Sequence, residues 1–202
     1  ANGSDTGAIH RLSGTDHPTM TGSVDRSDPL GRHRAVLGLG ANLADPLRAL
    51  RGAVASLSTT PGIEILACSR AYRTDPVGGP QQPRYLNAVV ILRTDAAPTA
   101  LLSLAQGIEA DWGRVRRERW GPRTLDIDLI DVDGEVRVTS DLTLPHPRAH
   151  ERGFVLVPWL DIDPEAVLPG FGRVCELLNR VDCTGIEATD QALLDGLASG
   201  IR

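Results

Sequence analysis

Apolar and polar positions change period several times along the chain, and each change predicts an element. Ala35–Leu39 is a short apolar run ending in GLGANLADP, which reads as a strand entering a tight turn toward a helix. Asp45 suits an N-cap and Pro46 the first helical position. Leu47, Leu50, Val54 and Leu57 then fall on one side of a helix that stops at Thr60-Pro61-Gly62. A strand over 63–73 leads into TDPVGGPQQP, a shaped Pro/Gly loop. From Tyr85 to Arg93 the pleat sets Leu86, Ala88, Val90 and Leu92 against Tyr85, Asn87, Val89 and Ile91. A second helix over about 98–112 buries Leu101, Leu104 and Ile108. A strand over 124–132 is followed by an Asp133-Gly134 turn and 135–138, together a hairpin. The apolar run at 154–160 reads as a further strand and 174–181 as a short helix. The order βαββαβ plus a hairpin predicts an α+β, ferredoxin-like domain: a mainly antiparallel sheet with helices on one face.

Residues 1–33 carry no aromatic residue and no apolar period, so a disordered N-terminal extension is expected there. The domain is then expected over 34–182, with 183–202 a C-terminal helix or tail. A chain of 202 residues suits one domain with a sizeable core. No apolar run is long enough to span a bilayer and the start lacks a signal-peptide core, so a cytoplasmic, monomeric protein is expected. Cys68, Cys175 and Cys183 are too scattered for a disulfide framework or a zinc knuckle. The net charge of −5 argues against a general nucleic-acid binder. One absence narrows the chemistry further. All 21 basic residues are arginine, which removes the Walker A lysine, the protein-kinase strand lysine and Schiff-base mechanisms. Phosphate would have to be handled by arginine forks, backbone amides and metal.

The densest chemistry lies in RWGPRTLDIDLI, residues 119–130. Asp126 and Asp128 sit two apart on a strand and share a face, roughly 6–7 Å apart. Two bare carboxylates so placed repel each other and need a cation. Arg114, Arg116, Arg117, Arg119 and Arg123 precede them, with a Gly-Pro break that suits a mobile loop. Hard carboxylates beside guanidinium forks suit Mg²⁺-dependent phosphoryl transfer. A basic patch for nucleic acid and a metal-dependent nuclease are the competing readings, and the acidic balance together with the Tyr85/Asn87 pair disfavours both. GLGANL lacks the third glycine of a dinucleotide fingerprint.

GRVRRERWGPRTLDIDLI closely resembles the signature of the hydroxymethyl-dihydropterin pyrophosphokinases of folate biosynthesis. GLGANL resembles the family's opening turn, SRAYRTDPVGGPQQPRYLNAVV its pterin-side loop and strand, and LTLPHPRAHERGFVLVPWLDIDPEAVLP its C-terminal segment. The resemblance implies transfer of the β,γ-diphosphate of ATP to a pterin hydroxymethyl group, with two Mg²⁺ ions as cofactor and ATP as co-substrate. By that resemblance Asp126 and Asp128 would hold the metal, and Asp126 would also face the pterin. Arg114 and Arg116 would close over the phosphates as catalytic residues. Arg116, Arg119, Trp120, Arg123, Gln106, Glu109, Leu129, Thr143, His146 and Arg152 would form the ATP site. Thr74, Val77, Tyr85, Asn87 and Phe154 would hold the pterin, Tyr85 and Phe154 by stacking. Tyr85 and Asn87 agree independently, since two residues apart on a strand they offer one aromatic plane and one amide to the same side. Ala41 and Asp75 depart from the serine and proline frequent in relatives, and Arg117 has no assigned role.

Overall fold

The computed structural model describes residues 30–113 and 121–194. Strand β1 (His33–Ala41) leads to helix α1 (Pro46–Thr59), then to β2 (Ile63–Cys68), β3 (Tyr72–Thr74) and β4 (Tyr85–Thr94). Helix α2 (Pro98–Asp111) precedes β5 (Asp126–Val132). Asp45 caps α1 as its sequence suggests, its carboxylate accepting from Arg48 N at 3.0 Å, with Pro46 at the helix start. The main sheet runs β3-β4-β1-β5 with β2 also on β4, every pair antiparallel. That is the ferredoxin-like order expected for βαββαβ. The 63–73 strand is divided in two. Between its halves the Ser69 hydroxyl accepts from Val89 N at 2.9 Å, taking the place of a ladder carbonyl.

Two expectations are overturned. The run at 154–160 is not a strand but part of helix α3 (Gly153–Ile162). As a result helices cover both faces of the sheet rather than one. One face packs Ala35, Leu37, Leu39, Val90 and Leu92 against α1 and α2. The other packs Val36, Val89, Ile91 and Ile130 against Val155, Leu156 and Trp159 of α3. The added hairpin is present, but it is built from other strands than the sequence suggested. Residues 137–138 (β6, Arg137–Val138) pair with β7 (Thr143–Leu144), not with β5. A loop-strand pair, β8 (Val167–Leu168) and β9 (Gly172–Arg173), leads to the short helix α4 (Val174–Leu178). Beyond it, where a C-terminal helix or tail was expected, β10 (Glu187–Ala188) extends the sheet along β3. The chain then bonds Ala71 through Thr189 and Gln191 and buries Leu193 in the α1 face.

Candidate active site

The register of β1 builds the floor of the site. Gly40 lies opposite Asn87 on one side and Asp126 on the other, and Gly38 opposite Val89 and Asp128. Cross-strand partners point the same way, so Asn87, Asp126 and Asp128 share the α3 face. Here β1 itself contributes no side chain. GLG is therefore inside the strand, not in a strand-to-helix turn as its sequence suggested; the turn follows it, with Ala44 at φ 54°. A Cβ on Gly40 would stand 2.8 Å from Asn87 Oδ1. Glycine is what leaves a trough between the amide and the carboxylates. Lower on the same face Val89 and Ile130 disappear under α3, so the sheet is core at one end and open at the other.

A cavity of about 540 Å³ opens above the trough. Strand residues Thr74, Tyr85, Asn87, Asp126 and Asp128 line it, with Val77 and Gln82 from the 75–84 loop. Arg148, Glu151 and Arg152 enter from the turn that precedes α3, Phe154 from the first turn of α3, and Val181, Thr184 and Ile186 from the C-terminal segment. The Asn87 amide donates to Thr74 Oγ1 at 2.6 Å. Burial pushes the Tyr85 phenol above its ordinary pKa; Arg123 pulls it down and nearby Asp126 pushes it up.

Both carboxylates already hold arginines. Arg123 Nη1 pairs with Asp126 Oδ2, and Arg152 Nη1 donates to Asp128 Oδ2 at 2.8 Å. These guanidiniums answer the repulsion that the sequence left open. The Arg152 guanidinium also lies 5.6 Å from the Phe154 ring centroid, within cation–π range. His146 Nε2 is 3.8 Å from Asp128 Oδ2. Its Nδ1 accepts from Arg148 N at 3.1 Å, which leaves the neutral ring's proton on Nε2, facing the carboxylate. Burial lowers the His146 pKa, against the pull of Asp128 and with that of Arg152.

The cavity thus collects nine of the sequence-chosen residues: Thr74, Val77, Tyr85, Asn87, Arg123, Asp126, Asp128, Arg152 and Phe154. His146 stands beside it through Asp128. Four do not line it. Gln106 is exposed on α2, and Glu109 is buried with its carboxylate accepting Ile127 N at 2.7 Å. Leu129 is in the apolar core and Thr143 is in β7. Arg114, Arg116, Arg119 and Trp120 lie outside the described residues. The sequence reading missed Asn42, which is 3% exposed. Its amide donates to Gln82 Oε1 and Pro83 O, both at 3.0 Å, and accepts from Arg123 N at 2.8 Å. It ties the 75–84 loop to the approach of β5. Its place in GLGANL was the available signal, but none of its three partners is near in sequence.

The model of the 7,8-dihydro-6-hydroxymethylpterin-pyrophosphokinase (HPPK) family matches residues 36–164. This chain belongs to that family. The chain is 44% identical over 155 residues to the 2-amino-4-hydroxy-6-hydroxymethyldihydropteridine pyrophosphokinase of Synechocystis, covering 76% of this chain and 79% of the relative. It is 45% identical over 157 residues to the enzyme of that name from Methylorubrum extorquens, covering 78% and 99%. Among solved structures, an HPPK-DHPS complex with substrates superposes with TM-score 0.58 at 15% identity, over 74% of this chain. This chain spans 45% of that longer one, and the likeness bears on the fold alone. Among the described residues no helix is long and apolar enough to cross a membrane. The HPPK membership makes the chain an ATP- and magnesium-dependent transferase, and no cluster of three or more His, Cys, Asp or Glu ligands occurs among the described residues. Two carboxylates suffice for Mg²⁺ that arrives with phosphate, because that ion keeps few protein ligands and completes its shell with substrate oxygens and water.

Proposed function

We propose that this cavity transfers the diphosphate of ATP to the hydroxymethyl group of 6-hydroxymethyl-7,8-dihydropterin, releasing AMP. The observation that carries the reading is the shared face of Asn87, the bare Gly40 trough and the Asp126/Asp128 pair. A flat heterocycle lying on that trough meets the Asn87 amide at one edge and the carboxylates at the other. Tyr85 and Phe154, both lining the cavity, supply the aromatic planes for it.

Asp126 and Asp128 would hold the magnesium, two ions in this reading. When bound, the metal supplies neutralisation and orientation of the phosphate oxygens. Arg123 and Arg152, paired with these carboxylates in the free protein, are placed to take the phosphate charge. The pterin hydroxyl attacks the β-phosphorus in line, its oxygen–phosphorus bond forming as the bond to the AMP oxygen breaks, and the hydroxyl proton leaves to Asp128 or to water. Arg114 and Arg116, which lie outside the described residues, would by the resemblance take the phosphate charge, and positioning would supply most of the acceleration. Gln106, Glu109, Leu129 and Thr143 do not line this cavity, and by the resemblance they are proposed for the nucleotide site beside it.

The test is AMP formation from ATP and hydroxymethyl-dihydropterin, with the pterin product identified by mass. Asp128→Asn should lower turnover by at least about 10²-fold, the scale for losing a charge-stabilising group in phosphoryl transfer. Wild-type turnover and magnesium dependence in that variant would refute the metal assignment.

A further inference from the structure

The neck of the 75–84 loop is closed by charge. Thr74 opposite Tyr85 is the last pair of the β3–β4 ladder, so Asp75 and Arg84 are the first residues past it. Arg84 Nε stands 2.8 Å from Asp75 Oδ1, an ion pair across the neck. The far end of the guanidinium leaves the loop altogether. Its Nη2 donates to Gly185 O at 2.7 Å, and its Nη1 to both Glu187 carboxylate oxygens at 3.2 Å. Because β10 runs along β3 with Glu187 opposite Arg73, one side chain at the foot of β4 reaches past β3 to a third strand. Two glycines let the chain come that close. Gly185 has φ 74°, and a Cβ on it would overlap the Asp75 carboxylate. A Cβ on Gly153, at the start of α3, would stand 2.9 Å from Ile186 Cδ1 and 3.1 Å from Asp182 O. The segment so held gives Val181, Asp182, Thr184 and Ile186 to the cavity wall. It lies past residue 164, where the family match ends.

We propose that Arg84 is a positioning residue for the heterocycle: it clasps the 75–84 loop to the 181–187 segment, so that the two meet a ligand as one preformed wall. This rests on the reading of the cavity as a pterin site. Residues 77–81 of the loop are all exposed, so its order depends on its neck. Each ion pair alone is weak, since the Asp75 and Glu187 side chains are 60% and 57% exposed. Their effect comes from sharing one planar guanidinium, which is ordered once for all three partners. Without the clasp, the ligand itself must bring loop and segment together, and its affinity carries that ordering cost. Once bound, the reacting groups stand where they stood before.

The experiment uses the full chain with Mg²⁺, hydroxymethyl-dihydropterin, and α,β-methylene ATP for binding, since the bond broken in the reaction is the one that analogue blocks. Arg84→Met keeps a side chain of similar reach and removes all three polar contacts. It should weaken pterin about 3–10-fold, the scale of a small ion-pair network. Nucleotide affinity should stay within about two-fold of wild type, and so should the single-turnover rate at saturating pterin, because the loss is one of binding alone. Asp75→Asn and Glu187→Gln should each lose less, and neither loss should add to that of Arg84→Met. Arg84→Lys should recover only part, since an ammonium keeps the charge without the fork. The pterin is uncharged and the clasp ionic, so the gap between wild type and Arg84→Met should narrow between about 0.01 M and about 1 M salt. Wild-type pterin affinity in Arg84→Met would overturn the proposal, as would a joint fall of both affinities and of the melting temperature. Asn87→Ala in the same titration separates the two readings. If it loses pterin while Arg84→Met matches wild type, only the clasp fails; if it binds pterin normally, the pterin reading of the cavity fails and takes the proposal with it.

Discussion

Substituting alanine for Gly40 tests the trough directly, because the change is one methyl group placed against one named atom. That carbon would lie 2.8 Å from Asn87 Oδ1, whereas carbon–oxygen contacts settle at about 3.3 Å or more. About half an ångström must be found somewhere. Asn87 is 6% exposed and its nitrogen is held by Thr74 Oγ1 at 2.6 Å, so it cannot swing away for nothing. If the amide rotates, that hydrogen bond is lost, at about 0.5–1.5 kcal/mol. If the strands shift instead, overpacking costs about 1–3 kcal/mol. Gly40→Ala should therefore destabilise the protein by about 1–3 kcal/mol and lower the melting temperature by roughly 2–4 °C for each kcal/mol. Pterin affinity should fall about ten-fold, the equivalent of one misplaced hydrogen bond of about 1.4 kcal/mol, with nucleotide affinity within about two-fold of wild type. Urea unfolding and calorimetric titration of each ligand measure the two effects separately. A Gly40→Ala protein with wild-type melting and wild-type pterin affinity would show that the bare floor is not needed.

Glu109→Ala should cost about 1–3 kcal/mol of stability by leaving a buried Ile127 N–H without its acceptor, and Glu109→Gln, which keeps a carbonyl oxygen there, should recover most of it. Loss of ATP affinity in Glu109→Gln at normal stability would instead make this side chain part of the nucleotide site. Burial pushes the Cys68 thiol up to about 12 from 9.0, so alkylation of native protein at pH 8 should spare it and unfolding should expose it. Because that folded value is the raised one, the neutral thiol's contribution to stability is complete below pH 9.0 and is lost as pH rises toward about 12. A Cys68→Ser protein should lose less stability than wild type on moving from pH 9 to pH 11, measured by chemical unfolding.

The Asp126/Asp128 and Tyr85/Asn87 pairs could be read from the chain because each depends only on the two-residue period of a single strand. The antiparallel βαββαβ order was legible for a similar reason, since the alternation in Tyr85–Arg93 and the capped start at Asp45-Pro46 are local signals. FVLVPWL was misread because seven consecutive apolar positions carry no period: a strand and a helix buried on every side look alike. That one misassignment also hid the second helical layer. The trough was not legible at all. Gly40 acquires its meaning only when register sets it between Asn87 and Asp126, residues 47 and 86 positions away. Asn42 and Glu109 share this limitation, because each is a polar group whose partner is chosen by packing across the fold.

The pairing of Arg123 with Asp126 and of Arg152 with Asp128 has a consequence for how charge enters the site. In the resting protein each carboxylate is already a tenanted place, so a divalent ion reaching it competes with a tethered guanidinium whose local concentration never falls. Free magnesium offers the competing cations nothing. Magnesium that arrives on a triphosphate brings them new anions, and the competition becomes an exchange in which every charge leaves with a partner. The two arginines would thus act as a tariff on the naked ion and a welcome to its nucleotide complex, so that saturation by magnesium alone should lag far behind saturation by magnesium with ATP.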